Sequence, residues 1–154
     1  MKTSDICDQA ADAKVCVAPW RSFGGCVAFS GRIVTIRTFE DAGLVRQKLE
    51  TAGYGQVLVV DGGGSLQRAI FGDRMAAIGM RNGWAGVLVY GAIRDTESLA
   101  KLDFGVFALG SVPARGCLDG MGDCDVTLTL GGAHVAPGEY IVVDADGVVI
   151  TQSG

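Results

Sequence analysis

The segment QVLVVDGGGS, residues 56–65, is a short apolar run followed directly by a glycine-rich turn. The unbroken apolar run at 57–60 predicts a strand buried on both faces, which is typical of the parallel sheets of α/β proteins. A second run, GVLVYGA at 86–92, predicts another buried strand, and a charged pair at 94–95 follows it. Because α/β sheets bind ligands beyond the carboxyl ends of their strands, the two runs also indicate where a site should lie.

The rest of the chain predicts an α/β middle and a β-rich end. Helices are predicted at 3–13 (capped by Thr3 or Ser4), 40–52, 66–81 with a break at Gly72, and 96–102. Further strands are predicted at 31–39, 105–109, 125–130, 133–135, 140–144 and 148–151. No linker-like composition divides the chain, so we expect one domain over residues 1–154.

Composition and charge exclude several classes of function. The chain holds 24 glycines and only 3 prolines among 154 residues, and 49% of it is apolar, which excludes collagen-like and disordered proteins. The net charge of −4 and the lack of a basic stripe make direct nucleic-acid binding unfavourable. No apolar run approaches the roughly 18 residues of a membrane span, and the polar N-terminus does not resemble a signal peptide, so we expect a cytoplasmic protein. A charged fraction of only 19% suggests that an oligomer covers part of the surface.

The five cysteines are widely spaced, and none belongs to a Cys-x-x-Cys motif. This pattern predicts reduced, mostly buried thiols, although the sequence leaves a disulfide between Cys117 and Cys124 open.

The turn at Gly62, Gly63 and Gly64 joins a predicted strand to a predicted helix and could present backbone N–H groups to an anion. It lacks the Gly-Lys-Ser/Thr of a phosphate-binding loop and the third glycine of a dinucleotide fingerprint. A tight turn that only packs the helix against the strand is an equally good interpretation on these residues.

Arg94 and Asp95 are the second candidate, because they directly follow an apolar strand. Arginine offers a bidentate fork for a carboxylate, and aspartate offers a hard oxygen ligand for Mg²⁺. Alternatively, the pair forms a surface ion pair, or Asp95 caps the next helix. Asp73 interrupts the preceding helical pattern, and its local alternative is likewise a helix cap.

Other polar residues favour structural roles. His134 lies in an apparent hairpin without a nucleophile at a recognisable spacing, and Ser65 lacks the Gly-x-Ser-x-Gly elbow. Asp119, Asp123 and Asp125 look like a solvated acidic loop, because their spacing matches neither a calcium loop nor a zinc site.

Seven short motifs occur in an order that resembles the RraA-like family, which includes the 4-hydroxy-4-methyl-2-oxoglutarate aldolases. They are FGG (23–25), FED (39–41), VVDGGGS (59–65), GD (72–73), GWAG (83–86), YGAIRD (90–95) and DADGV (144–148). The aldolase branch is similar in carrying an Asp, twenty intervening residues and then Arg-Asp, which Asp73, Arg94 and Asp95 match here.

The resemblance implies a compact swivelling-domain fold with a layered β/β/α core, assembled as a homotrimer with active sites at the subunit interfaces. It also implies a metal-dependent class II lyase that releases pyruvate from 4-hydroxy-2-oxo acids and decarboxylates oxaloacetate through a pyruvate enolate. The expected cofactor is Mg²⁺ or Mn²⁺.

Residue roles follow from the same resemblance. Arg94 would clamp the substrate carboxylate and keto group, Asp95 would hold the metal, and Asp73 would orient water or relay a proton. Glu40 or Asp41 is a further candidate, which would contribute across a subunit interface. The full set of implied substrate-binding residues is Gly62, Gly63, Gly64, Gly72, Asp73, Arg74, Met75, Ala76 and Arg94.

Two alternatives remain from the sequence. The name-giving branch of the family is a non-catalytic regulator that binds and inhibits ribonuclease E, and Asp95 argues against that as the only role. The third candidate is a phosphate- or nucleotide-binding module that uses residues 62–65, which the motif tests disfavour.

Overall fold

The computed structural model describes residues 1–152, so the last two residues of the predicted domain lie outside the described part. Four short helices occur in that part: α1 (Thr3–Gln9), α2 (Gly43–Leu49), α3 (Asp73–Arg81) and α4 (Thr96–Leu99). The strands are β1 (Lys14–Val15), β2 (Arg21–Ser22), β3 (Phe29–Arg37), β4 (Val57–Asp61), β5 (Gly86–Ile93), β6 (Gly105–Ser111), β7 (Asp123–Cys124), β8 (Leu128–Leu130), β9 (Ala133–Val135), β10 (Tyr140–Asp144) and β11 (Gly147–Thr151).

The strand β3 connects two sheet regions. Its first half pairs antiparallel with β10, and its second half, from Ile33 to Arg37, pairs parallel with β4. The order β3-β4-β5-β6 is parallel throughout, while β1, β11 and β10 form an antiparallel extension beyond β3. The carboxyl ends of the parallel strands therefore meet at one edge, as the sequence predicted.

The core lies in two layers, one on each face of the parallel strands. Alternate residues of β4 point to opposite faces: Leu58 and Val60 pack towards α2, α3 and α4, while Val57 and Val59 pack towards β8–β11. All four side chains are fully buried, which explains the continuous apolar run. The predicted layered β/β/α architecture is confirmed.

The predicted helix at 66–81 is correct only from Asp73 onwards. Residues 69–71 instead run in extended form between two other segments: Ile70 N–H donates to the Ala92 carbonyl at 3.0 Å, and Ala69 N–H donates to the Ala114 carbonyl at 2.7 Å. Backbone partners distant in sequence therefore override the local helical spacing. The same segment carries the chain past the end of β5, and this path positions the site.

Three other local predictions were wrong. Neither Thr3 nor Ser4 caps α1; the Thr3 N–H and hydroxyl donate to the Asp144 carboxylate at 2.8 and 2.7 Å. The strand predicted from Asp125 begins only at Leu128, because Asp125 adopts a left-handed conformation with φ 56°. The prediction of mostly buried thiols was wrong, because Cys16 alone is buried; all five cysteines are free, as predicted, and Cys117 and Cys124 form no disulfide.

Among the described residues, no helix is both long and apolar enough to cross a membrane.

Candidate functional site

The carboxyl end of β5 presents Arg94 and Asp95 at the sheet edge. Arg94 N–H donates to the Phe71 carbonyl at 3.0 Å, which fixes the chain where it leaves the strand. Asp95 follows at the N-cap position of α4 with φ 66°, a left-handed conformation that is uncommon for residues other than glycine. The Asp95 side chain does not cap α4, so this alternative is excluded; the turn directs its carboxylate elsewhere.

The carboxylate of Asp95 reaches the N-terminus of α3 instead. Its Oδ2 accepts the Asp73 N–H at 3.1 Å and lies 4.0 Å from Arg94 Nε. Gly72 allows this approach, because a Cβ at that position would stand 2.6 Å from Asp95 Oδ2. The structure thus brings together the three residues Asp73, Arg94 and Asp95, which are separated by up to 22 positions in the sequence.

The first turn of α3 offers two further backbone donors. Ala76 N–H makes the first helical hydrogen bond, to the Gly72 carbonyl at 3.0 Å, and Ala76 is fully buried. Within residues 1–152, no acceptor pairs with the N–H groups of Arg74 and Met75. Donors at a helix N-terminus favour anions, so an acidic ligand fits at Arg74 and Met75. Ala76 cannot donate in the same way.

A cleft of about 700 Å³ opens in front of these groups. Asp73, Asp95, Arg94 and the first turn of α3 line it, and the cleft carries an excess of positive charge. Its other lining arginines are Arg46, Arg74, Arg81 and Arg115. Five guanidinium groups against two carboxylates make a small, multiply charged anion the best-matched ligand.

The triglycine turn does not line this cleft. The N–H groups of Gly62 and Gly64 both donate to the Tyr90 carbonyl, at 3.0 and 3.1 Å, and Gly63 N–H donates to Asp61 Oδ1 at 2.9 Å. All three donors are occupied within the chain. The geometry therefore corresponds to a tight turn after β4 rather than to the expected anion cradle, and this turn does not lead directly into a helix.

Asp41 organises a loop beside the cleft. Its carboxylate accepts N–H groups from Gly43, Gly120 and Met121 at 2.8 to 3.1 Å. Burial opposes its ionisation, but these hydrogen bonds outweigh that cost, so the pKa of Asp41 is lowered. Ligand atoms of Asp41, Cys117 and Asp119 lie within 4.8 Å of one another, as in a metal site. Because three backbone donors already use the Asp41 oxygens, the cluster is better explained as loop structure.

The remaining sequence candidates have structural partners. Glu40 Oε2 accepts the Ser65 hydroxyl at 2.6 Å, and Ser65 Oγ accepts the Gln67 N–H. His134 lies on the β8–β9 hairpin beside Thr129, at 3.2 Å, as expected for a structural residue. Asp123, predicted to lie in an acidic loop, instead belongs to β7 and pairs with Arg37 of β3 at 3.2 Å, with both side chains exposed.

Sequence reasoning missed three arginines of the cleft, Arg46, Arg81 and Arg115. Each belongs to a segment with no motif of its own, and only the fold brings the segments together. The only signal in the sequence was that all three are arginines, which does not distinguish them from arginines elsewhere on the surface.

Known proteins of one family resemble this chain over nearly its whole length. The family model RraA-like, described as Aldolase/RraA, matches residues 3–150. A relative from Aromatoleum aromaticum, named "Putative 4-hydroxy-4-methyl-2-oxoglutarate aldolase", is 49% identical over 99% of this chain and 96% of its own length.

Two solved structures are closely similar. One, from Thermus thermophilis, is titled an RNA-processing inhibitor RraA; it has a TM-score of 0.97 and 42% identity over 99% of this chain and 93% of its own. The other, from Geobacillus kaustophilus, is titled an S-adenosylmethionine:2-dimethylmenaquinone methyltransferase; it has a TM-score of 0.98 and 46% identity over 100% and 96%. Two near-identical backbones and a relative with 49% sequence identity therefore carry three different functional names, so the name alone does not assign a function.

Proposed function

This chain belongs to the RraA-like family, and from that premise we propose that it is a divalent-metal-dependent aldolase. Its substrates would be 4-hydroxy-2-oxo acids of the 4-hydroxy-4-methyl-2-oxoglutarate type, cleaved to pyruvate, and it would also decarboxylate oxaloacetate. The observation that carries the proposal is the Asp95 carboxylate, held against the N-terminus of α3 beside Arg94 in an arginine-lined cleft. Such a cleft suits a small diacid better than an apolar quinone.

The substrate carboxylate next to the keto group would bind at the first turn of α3. The N–H groups of Arg74 and Met75 point out of the helix end without protein acceptors among residues 1–152. Arg94 lines the cleft beside this turn, and its Nη1 donates a long hydrogen bond of 3.4 Å to the Pro113 carbonyl. Its guanidinium would face the 2-oxo oxygen, where negative charge develops as the C3–C4 bond breaks.

Asp95 suits a hard divalent cation. Its Oδ2 is used by the Asp73 N–H, while Oδ1 has no partner among the described residues, and the side chain is 34% exposed. One carboxylate oxygen in a cleft that admits water matches the chemistry of Mg²⁺, which keeps several waters and takes few protein ligands. A cation held there would supply Lewis-acid stabilisation of the 2-oxo oxygen.

Asp73 is the best-placed group for proton transfer. Its carboxylate lines the cleft, is half-buried and has no partner within residues 1–152. Through an intervening water it would accept the proton of the 4-hydroxyl group and return a proton to C3 of the product. Decarboxylation of oxaloacetate needs only the second of these transfers, so it is the less demanding reaction.

Assembly and location complete the proposal. Apolar side chains at the cleft and directly beside it remain open to solvent in the single chain, among them Leu118 at 38% and Phe39 at 64% exposure. A homotrimer with active sites at its interfaces would cover such residues, and a cytoplasmic setting fits the free cysteines.

A pyruvate assay coupled to lactate dehydrogenase tests the activity. Oxaloacetate and 4-hydroxy-4-methyl-2-oxoglutarate are each supplied with Mg²⁺ or with EDTA. We expect metal-dependent pyruvate release from both substrates, beyond the spontaneous decay of oxaloacetate measured without protein. Release that EDTA leaves unchanged would contradict the metal role, and no release from either substrate would contradict the aldolase.

The second candidate is a regulator that inhibits ribonuclease E, favoured by the 42% identity to the RNA-processing inhibitor. Its test is cleavage of a labelled RNA by purified ribonuclease E with increasing amounts of this protein. Inhibition retained by Asp95→Ala would support a regulatory role separate from the cleft.

A further inference from the structure

A second cavity of about 730 Å³ adjoins the cleft. Arg94 and Arg115 line both, so the two spaces meet at these side chains. Arg68, Glu40, Phe39 and Cys117 also line the second cavity. The mechanism proposed above uses the cleft and leaves this second cavity without a role.

A short backbone ladder positions the arginines of the second cavity. Residue 69 pairs with Ala92 at the end of β5 on one side and with Arg115 on the other. Ala69 N–H donates to the Ala114 carbonyl at 2.7 Å, and Gly116 N–H donates to the Ala69 carbonyl at 2.9 Å. Arg68 and Arg115 therefore belong to neighbouring, hydrogen-bonded segments beside the end of β5, which Arg94 directly follows.

The charges of the second cavity are not balanced within the described chain. Across residues 1–152, neither Arg68 nor Arg115 has a carboxylate within ion-pair distance. Glu40 is the single acidic residue of the lining, and its Oε2 is engaged by the Ser65 hydroxyl at 2.6 Å. Three guanidinium groups around one carboxylate favour an anion from solution.

We propose that Arg115, supported by Arg68, binds the distal carboxylate of the substrate, the one attached to C4, and so makes the protein selective for diacids. The inference rests on the proposed aldolase function. With the proximal carboxylate at the first turn of α3 and the reacting bond in front of Arg94, the distal end extends towards the space that Arg94 and Arg115 share. A bidentate pair with Arg115 would hold the leaving half of the molecule and stabilise the substrate and the transition state alike.

Two substrates that differ in the distal carboxylate isolate this contact. The diacid is 4-hydroxy-4-methyl-2-oxoglutarate, and the monoacid is 4-hydroxy-2-oxopentanoate; both release pyruvate. For Arg115→Gln we expect kcat/KM for the diacid to fall at least about tenfold, mainly through KM, while the value for the monoacid changes less than about twofold. Arg68→Gln should show a smaller loss of the same kind, and Arg115→Lys should fall between wild type and Arg115→Gln.

Arg21→Gln is the matched control, because Arg21 lies over the Phe23 ring and lines neither cavity. It should leave both substrates unchanged. Equal losses on the two substrates in Arg115→Gln, or an unchanged diacid, would overturn the inference while leaving the aldolase intact. A wild-type protein that releases pyruvate from neither substrate would overturn the proposed function, and this inference with it.

Discussion

Replacing Gly72 by alanine tests whether the site depends on the contact between Asp95 and α3. Gly72 is extended, with φ −157°, so alanine introduces no backbone strain. The added Cβ would stand 2.6 Å from Asp95 Oδ2 and 3.4 Å from Arg94 Cγ. To reach ordinary contact at about 3.4 Å, the carboxylate must retreat by about 0.8 Å, which stretches its 3.1 Å bond to the Asp73 N–H beyond hydrogen-bonding distance.

The size of the effect differs between stability and activity. A hydrogen bond to a charged group contributes about 1.5–3 kcal/mol, and partial exposure of Asp95 reduces this to about 1 kcal/mol. For a chain of this length that corresponds to a Tm lower by about 2–4 °C. A displacement approaching 1 Å of a catalytic carboxylate costs about 100-fold in kcat/KM. We therefore expect a folded protein, with a slightly lower Tm by calorimetry and a severe loss in the coupled pyruvate assay.

Gly91→Ala is the matched control for this experiment. Gly91 lies in the same strand end, but a Cβ there meets its nearest atom at an ordinary 3.5 Å. It should retain nearly wild-type activity. Wild-type kcat/KM in Gly72→Ala would refute the coupling between Asp95 and the helix terminus.

Two further predictions concern ionisable groups away from the reaction. Because the pKa of Asp41 is lowered in the folded protein, its ionised form stabilises the fold above the unfolded pKa of about 4, and this contribution is lost as the pH falls further. In urea unfolding at several pH values, Asp41→Asn should have a lower free energy of unfolding at pH 7 and a smaller loss of that free energy in acid. An unaltered loss in acid would count against the loop role. Burial raises the pKa of Cys16 to about 11, so iodoacetamide at pH 8 should label exposed Cys7 and Cys124 long before Cys16, and equal rates by mass spectrometry would contradict its burial.

The strands were predictable where burial on both faces leaves a continuous apolar run. The runs at 57–60 and 86–92 specify β4 and β5 without help from distant residues, and the structure confirms both. The helix predicted over residues 66–71 was wrong, because their conformation depends on hydrogen bonds to Ala92 and Ala114, which are distant in sequence. Thr3 was assigned as a cap because its true partner, Asp144, lies 141 positions away.

The candidate site likewise contains residues that the sequence predicted and residues that it did not. The spacing of Asp73, Arg94 and Asp95 suggested a shared site through the family resemblance, and the fold brings the three together. The triglycine turn looked equally suitable, yet its N–H groups serve Tyr90 and Asp61, which no local pattern reveals. Arg115 was not predicted as a cleft residue, since only the pairing of its segment with residue 69 brings it there.

The most direct test of the central claim is pyruvate release by Asp95→Ala with 4-hydroxy-4-methyl-2-oxoglutarate and saturating Mg²⁺. The substitution removes the carboxylate that we assign to the cation and leaves Arg94 and the cleft in place. We predict that a folded Asp95→Ala protein loses metal-dependent release while wild type retains it. Metal-dependent release at the wild-type rate by that variant would contradict the assignment of Asp95 and, with it, the mechanism.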